Sequence, residues 1–356
     1  MNENHPLERE CAQAIRRQHQ ALAEAIVERQ YAQQPEIWRP FGDPGRVKSV
    51  RDAGYHLTYL AEALDARQPA LFVEYLAWVK VLFAGLRFGA DILPTTIAYT
   101  VAVLAERLPP DLSTTALEYL NAGLRRLPQV QTTPASLIRS DAPLSDLARA
   151  YLEALLRADR HAAGRLILDA VEQGTPIKAI YLDVFQPVQR EIGRLWQTNQ
   201  ISVAQEHYCT AATQLVMSML YPRIFDSPRK GRRLVAACVG GELHEIGARM
   251  VADFFEMDGW DTYFMGANTP TESILRAVEE RRADILAISA TMTFHVSQVA
   301  DLIAAFRRAG LDRRTRVLVG GYPFNIAPDL WQRVGADGYA PDAQQAVETA
   351  ERMIER

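Results

Sequence analysis

Apolar and polar positions divide the chain into three blocks with different periods. From residue 232 to 356, short apolar runs at 234–239, 261–265, 284–289 and 316–319 alternate with amphipathic stretches such as 248–256 and 296–309. That alternation predicts parallel strands joined by crossover helices, a doubly wound sheet. Residues 141–226 read as helical throughout, with starts at Ser145-Asp146 and Thr175-Pro176 and with Leu152, Leu155, Leu156, Leu166 and Ile167 as apolar stripes of a small bundle. The stretch 227–231, Ser-Pro-Arg-Lys-Gly, is a charged linker with a helix breaker. Residues 1–140 form a further helical block, in which Phe72, Tyr75, Trp78 and Val79 recur at helical spacing. The expected fold class is therefore α/β plus all-α, with an N-terminal helical domain, a helical bundle and a C-terminal sheet domain.

Chemistry concentrates where the first strand of the sheet block ends. Glu242-Leu243-His244-Glu245-Ile246-Gly247 falls between the run 234–239 and the next amphipathic helix, at the sheet edge where α/β proteins bind cofactors. An imidazole there can bind a transition metal through one ring nitrogen when an acceptor fixes the other, and Glu242 is placed to be that acceptor. Gly247, three residues after His244, lets a flat ligand approach the helix start. After 41 intervening residues (248–288) Ser289-Ala290-Thr291 closes the third strand, and after a further 28 (292–319) Gly320-Gly321 closes the fourth. All three elements are expected on one rim.

This arrangement resembles the cobalamin-binding domain family, whose pattern is Asp-x-His-x-x-Gly, then Ser-x-Leu or Ser-x-Thr, then Gly-Gly at about these intervals. The resemblance implies a corrinoid bound base-off, with His244 as the metal ligand on the lower face of cobalt. Ser289 and Thr291 would line a slot for the displaced nucleotide tail, and Gly320 and Gly321 would leave it open. Glu242 stands where the family usually has aspartate.

The helical block upstream adds a second constellation. Trp196 is followed by nine residues and then by Glu206-His207, on a helix that Ile201-Ser202-Val203 begins. Taken alone, such a tryptophan is more often core and such a Glu-His pair more often a solvated face. The spacing is similar to that of the cobalamin-dependent photoreceptors, in which a helical bundle caps the upper face of adenosylcobalamin. By that resemblance Trp196 packs on the 5'-deoxyadenosyl group, and Glu206 and His207 contact it or the corrin edge. Gln197 occupies the place where DNA-binding members carry a histidine that takes the vacated upper position, leaving His207 as a substitute.

The first block decides between members of that group. Asp52, His56 and Tyr59 share one helical face, and on local sequence alone a supporting bundle with a satisfied His56 is the simpler reading. The layout of an N-terminal helical region, cap and cobalamin domain without a DNA reader is similar to the photocobilins, which hold a bilin beside the cobalamin. That resemblance implies biliverdin as a second cofactor, noncovalent because no cysteine sits at a thioether position. Arg39, Arg46 and Arg51 are candidates for its propionates, and His56 and Tyr59 for its pyrrole nitrogens.

Composition narrows the class. A formal charge of -4 with interspersed signs provides no basic face for nucleic acid. Cys11, Cys209 and Cys238 are an odd number in unrelated settings, which argues for reduced thiols. A polar stretch at residues 1–10 and the lack of an 18-residue apolar run lead to an expected cytoplasmic location without a signal peptide. No substrate-binding barrel is encoded, so substrate turnover is not expected. The expected function is a light sensor binding adenosylcobalamin and biliverdin, in which photolysis drives a conformational or assembly change in a homodimer read by a separate signalling partner. The alternatives are a corrinoid protein carrying methyl groups for methyltransferases, and a cobalamin sensor indifferent to light.

Overall fold

The computed structural model describes residues 7–225 and 227–355. The first six residues of the polar stretch 1–10, and the expected boundary at residue 226, lie outside them. Two compact units emerge, and they divide the chain differently from its three sequence blocks. One comprises residues 1–130 with 290–304 and 322–335; the other comprises 131–289, 305–321 and 336–356.

The first unit is helical. Its longer helices are Leu7–Arg17, His19–Gln33, Gly42–Asp65, Pro69–Gly85, Ile92–Arg107 and Pro110–Arg126. Proline starts two of them, where its missing N–H costs nothing. Their core is aliphatic and aromatic, with Ile15, Leu22, Ile26, Leu57, Leu60 and Phe72 fully enclosed.

The second unit holds a five-stranded parallel sheet in the order β2-β1-β3-β4-β5. The strands are β1 Arg233–Cys238, β2 Asp261–Phe264, β3 Ile285–Ser289, β4 Arg316–Gly320 and β5 Gly338–Tyr339. The first four match the expected runs to within a residue or two. The fifth has only two residues and no apolar run to announce it. In this order the chain reverses its winding between β1 and β3, so the crevice at their carboxyl ends is the topological switch point. The register sets Cys238 opposite Ser289 and Ser289 opposite Gly320, which brings the ends of β1, β3 and β4 level.

The helices Ser145–Leu156, Arg160–Glu172, Gln186–Gln197 and Val203–Met219 belong to the same unit as the sheet because they share its core. Tyr151, Tyr181 and Phe185 from the helical block form one buried cluster with Phe254, Phe255 and Trp260 and with sheet residues Leu234, Ile285 and Leu318. The Thr175-Pro176 signal leads into a short helix that widens to π-helical geometry over Ile180–Phe185, which brings the Tyr181 ring to 6.0 Å from that of Phe254.

Within this core the Tyr181 hydroxyl donates to Asp253 at 2.8 Å. Burial raises the Asp253 carboxyl to about 6, against the pull of Tyr181, Arg249 and Tyr221. A carboxyl whose folded pKa lies above its unfolded value adds stability at low pH that is lost as pH climbs through about 6. The Asp253→Asn variant keeps an acceptor for Tyr181 and lacks that loss. Its stability relative to the parent chain should therefore improve between about pH 4 and about pH 8 by up to ~3 kcal/mol, from a shift of roughly two pH units. Urea unfolding at both pH values measures it, and parallel pH profiles would refute it.

Candidate corrinoid site

The rim of the sheet builds its site around one buried carboxylate. Glu242 is 0% exposed, and its Oε1 accepts from the His244 ring Nδ1 at 2.6 Å and from the His244 backbone N–H at 3.0 Å. A buried carboxylate costs several kcal/mol unless it is hydrogen-bonded, so these donors fix the His244 rotamer and place the ring proton on Nδ1. The other nitrogen, Nε2, then carries the lone pair, and it has no protein partner among the described residues. The His244 side chain is 59% exposed, so that lone pair is accessible. The hydrogen bond to Glu242 raises the imidazole pKa, burial opposes it, and the charges of Glu242 and Glu206 add to the rise.

The loop is held from two sides. Gly241 N–H donates to Asn268 Oδ1 at 2.7 Å and Asn268 N–H donates to the Glu242 carbonyl at 2.9 Å, tying it to the turn after β2. Glu245 Oε2 accepts from Ala267 N–H at 2.9 Å, and its Oε1 accepts from Gln214 on the helix Val203–Met219 at 2.7 Å. Arg249 reinforces that link by donating to the Gln214 carbonyl, Ser218 Oγ and Tyr221 Oη. The His244 loop is thereby fastened to the helix that carries Glu206 and His207. Glu245, Arg249 and Asn268 escape a sequence reading because nothing in a lone carboxylate, arginine or asparagine marks its partner thirty residues away.

The other expected residues fall as follows. Gly247 lies in the first turn of the helix Ile246–Met257, and a Cβ there would meet open space. Ser289 ends β3 level with Cys238 and Gly320, and Thr291 lies two residues on in the segment assigned to the first unit. The two glycines have backbone reasons of their own. Gly321 has φ +106°, which a side chain would strain, and a Cβ on Gly320 would come within 3.1 Å of the Ala340 carbonyl. Trp196 is half-buried at the end of the helix Gln186–Gln197 and packs on the core of the second unit. The helix Val203–Met219 starts where Ile201-Ser202-Val203 predicts, and the structure adds a capping box between Ser202 and Gln205. On it Glu206 Oε2 lies 2.5 Å from His207 Nδ1, and Glu206 Oε1 accepts from Thr210 at 3.0 Å.

In the first unit His56 is fully enclosed, 2.8 Å from the Tyr75 hydroxyl, and burial lowers its pKa to about 4. Tyr59 stacks on Tyr75 at 3.7 Å. His56 and Tyr59 thus come together through Tyr75, as a satisfied core cluster. Arg39, Arg46 and Arg51 occupy exposed positions; Arg46 sits over the Tyr31 ring and Arg51 lies 3.6 Å from Asp52.

One imidazole with a pinned Nδ1, an accessible Nε2 and an open helix start fits a metal whose in-plane positions are already filled by a macrocycle. Comparison with known proteins agrees. Two profiles described as B12 binding domain match residues 232–348 and 147–221. The dimethylamine corrinoid protein 3 of Methanosarcina acetivorans is 32% identical over 122 residues, 34% of this chain and 56% of that protein. Its namesake from Methanosarcina mazei is 30% identical over 122 residues, which is 71% of its length. The first two curated relatives are thus matched over a little more than half their length, 56% and 55%. The structure of the Methanosarcina barkeri monomethylamine corrinoid protein superposes with a TM-score of 0.52 at 20% identity, covering 60% of this chain and 99% of that one, a likeness of fold.

Removing the Glu242 carboxylate by Glu242→Ala should lower the His244 pKa, because the largest cause of its rise disappears while the burial that opposes it stays. An NMR titration of the His244 ring reads this directly; an unmoved midpoint would show that Glu242 does not govern the imidazole.

Proposed function

The chain belongs to the family of cobalamin-binding corrinoid proteins, and from that premise we propose that it holds its corrinoid base-off, with His244 Nε2 as the lower ligand of cobalt. The observation that carries this is the 2.6 Å contact between the fully buried Glu242 and His244 Nδ1, which fixes the tautomer that ligation needs. Ser289 ends β3 and Thr291 follows it, where a displaced nucleotide tail would enter the switch-point crevice. A bound corrinoid supplies a cobalt centre that accepts methyl groups reversibly and, in its adenosyl form, a weak light-labile cobalt–carbon bond.

Two readings of its role follow. The relatives named as dimethylamine corrinoid proteins favour a carrier that presents methyl groups to methyltransferases. A separate observation favours a light sensor for adenosylcobalamin: the helix that carries Glu206 and His207, beginning seven residues after the half-buried Trp196, is hydrogen-bonded to the His244 loop through Gln214 and Glu245. In that reading Trp196 packs against the adenosyl group, and its release shifts the unit between two conformations that bind it unequally. The first unit would then hold a noncovalent biliverdin, with a homodimer as the responding assembly.

His244→Ala should weaken binding of hydroxocobalamin by about 10- to 100-fold or more, with loss of the imidazole-ligated spectrum. Unchanged affinity with cobalt still six-coordinate would remove His244 from the site. The two roles separate under illumination of the chain loaded with adenosylcobalamin in the dark. Photolysis alone does not discriminate, because the bond is light-labile in any host. A light-dependent change in hydrodynamic size, abolished by Trp196→Ala while hydroxocobalamin binding persists, supports the sensor; a size indifferent to light leaves the carrier.

A further inference from the structure

Residues 240–245, which carry His244, belong neither to β1 nor to the helix Ile246–Met257, so no strand pairing or helical turn fixes them. Gly241 within that stretch has φ +80°, a region that glycine enters and leaves at little cost. The loop therefore takes its shape from hydrogen bonds to its surroundings, and the turn after β2 is built to supply them. That turn is itself anchored to β1 at both ends. Met265 N–H donates to the Ala236 carbonyl at 2.8 Å and Cys238 N–H donates to the Gly266 carbonyl at 3.1 Å, while Thr269 N–H donates to the Cys238 carbonyl at 3.2 Å.

Between those anchors, Ala267 and Asn268 bond to the His244 loop instead of β1. Ala267 N–H donates to Glu245 Oε2 and Asn268 N–H to the Glu242 carbonyl, each at 2.9 Å, and Asn268 Oδ1 accepts from Gly241 N–H at 2.7 Å. Asn268 thus grips two successive residues, one with its side chain and one with its backbone. Its φ of +49° is a left-handed conformation that asparagine tolerates better than most residues. Gly266, at φ +78°, leaves no space for a side chain, because a Cβ there would come within 3.1 Å of Glu245 Oε2. Glu245 divides its carboxylate between this turn and Gln214 on the helix Val203–Met219, whereas both of these bonds of Asn268 end on the loop. All of these residues lie within the second unit.

The chain of contacts runs from Asn268 to Gly241 and Glu242, from Glu242 to the His244 ring, and through that ring to the Nε2 lone pair. A metal bond is short and directional, so its ligand has to be held to within about 0.5 Å of the productive geometry. We propose that Asn268 is a positioning residue for the lower axial ligand: by holding Gly241 and Glu242 it sets where the imidazole stands, and so how firmly it binds cobalt. The proposal rests on the corrinoid reading above. It adds a residue that acts on the imidazole only through Gly241 and Glu242.

The test makes Asn268→Gly in the full chain, which keeps the left-handed backbone and its N–H bond to Glu242 but leaves Gly241 without its acceptor. Because Gly266 and Thr269 still hold the turn to Cys238, the fold should persist. In the cobalamin-free chain the His244 backbone N–H should exchange with solvent about two- to tenfold faster, the worth of one neutral hydrogen bond. The Kd for hydroxocobalamin should rise by a similar factor. Reducing the bound cobalamin to cobalt(II) leaves an unpaired electron directed along the axis, so an axial nitrogen splits its EPR spectrum, and isotope labelling of histidine identifies that nitrogen as the imidazole's. The histidine splitting should weaken in Asn268→Gly and return in Asn268→Asp, which restores the acceptor. Glu245→Ala, which cuts the tie to Ala267, should show the same paired losses and keeps the proposal testable should the glycine variant fold poorly. Weaker binding with the histidine splitting intact, or unchanged exchange at His244, would overturn it. A parent chain that binds hydroxocobalamin with no histidine splitting would instead defeat the His244 reading on which the proposal stands.

Discussion

The rest of the site depends on keeping one ionised carboxylate out of water. Glu242 has no solvent exposure, and an uncompensated charge there would cost several kcal/mol. His244 compensates it twice, with its backbone N–H and its ring Nδ1–H, so the loop conformation and the imidazole tautomer are a single solution to one electrostatic problem. The longer side chain of glutamate at this position still reaches Nδ1 at 2.6 Å, so the departure from the family's aspartate preserves the contact.

The constraint spreads because the loop is tied to its neighbours. Asn268 holds it to the turn after β2, and Glu245 and Arg249 hold it to the helix Val203–Met219. Beneath these links lies a continuous apolar core in which Tyr181 and Phe185 of the helical block pack with Phe254 and Phe255 of the sheet block. Such a close-packed core resists independent motion of its parts. The segment 290–304 after β3 is held within the first unit, by Glu62 on Ser297 and Tyr59 on Phe294.

Comparison with known proteins bears on how far this goes. It establishes the corrinoid family and the fold, and it favours a methyl carrier more than a photoreceptor. The profile matches begin at residue 147, and the helical first 130 residues lie outside them.

Much was legible along the chain. Runs of four to six residues between amphipathic stretches announced four of the five strands: β1, β3 and β4 because burial on both faces of a parallel sheet demands continuous hydrophobic segments, while β2 is a part-exposed edge strand. The spacing of His244, Ser289 and Gly320 placed all three at strand ends, since only a residue just past such a run can reach the rim. Ile201-Ser202-Val203 announced a helix start, because capping by a serine side chain is a local hydrogen bond. Tertiary structure alone decided the rest. Whether His56 faces a ligand or the core, that Glu62 caps a helix 235 residues away, and that the helical block and the sheet share one core are matters of long-range packing. A one-dimensional pattern reports which face of an element is apolar, but what that face or a buried charge meets is fixed only when the chain closes on itself.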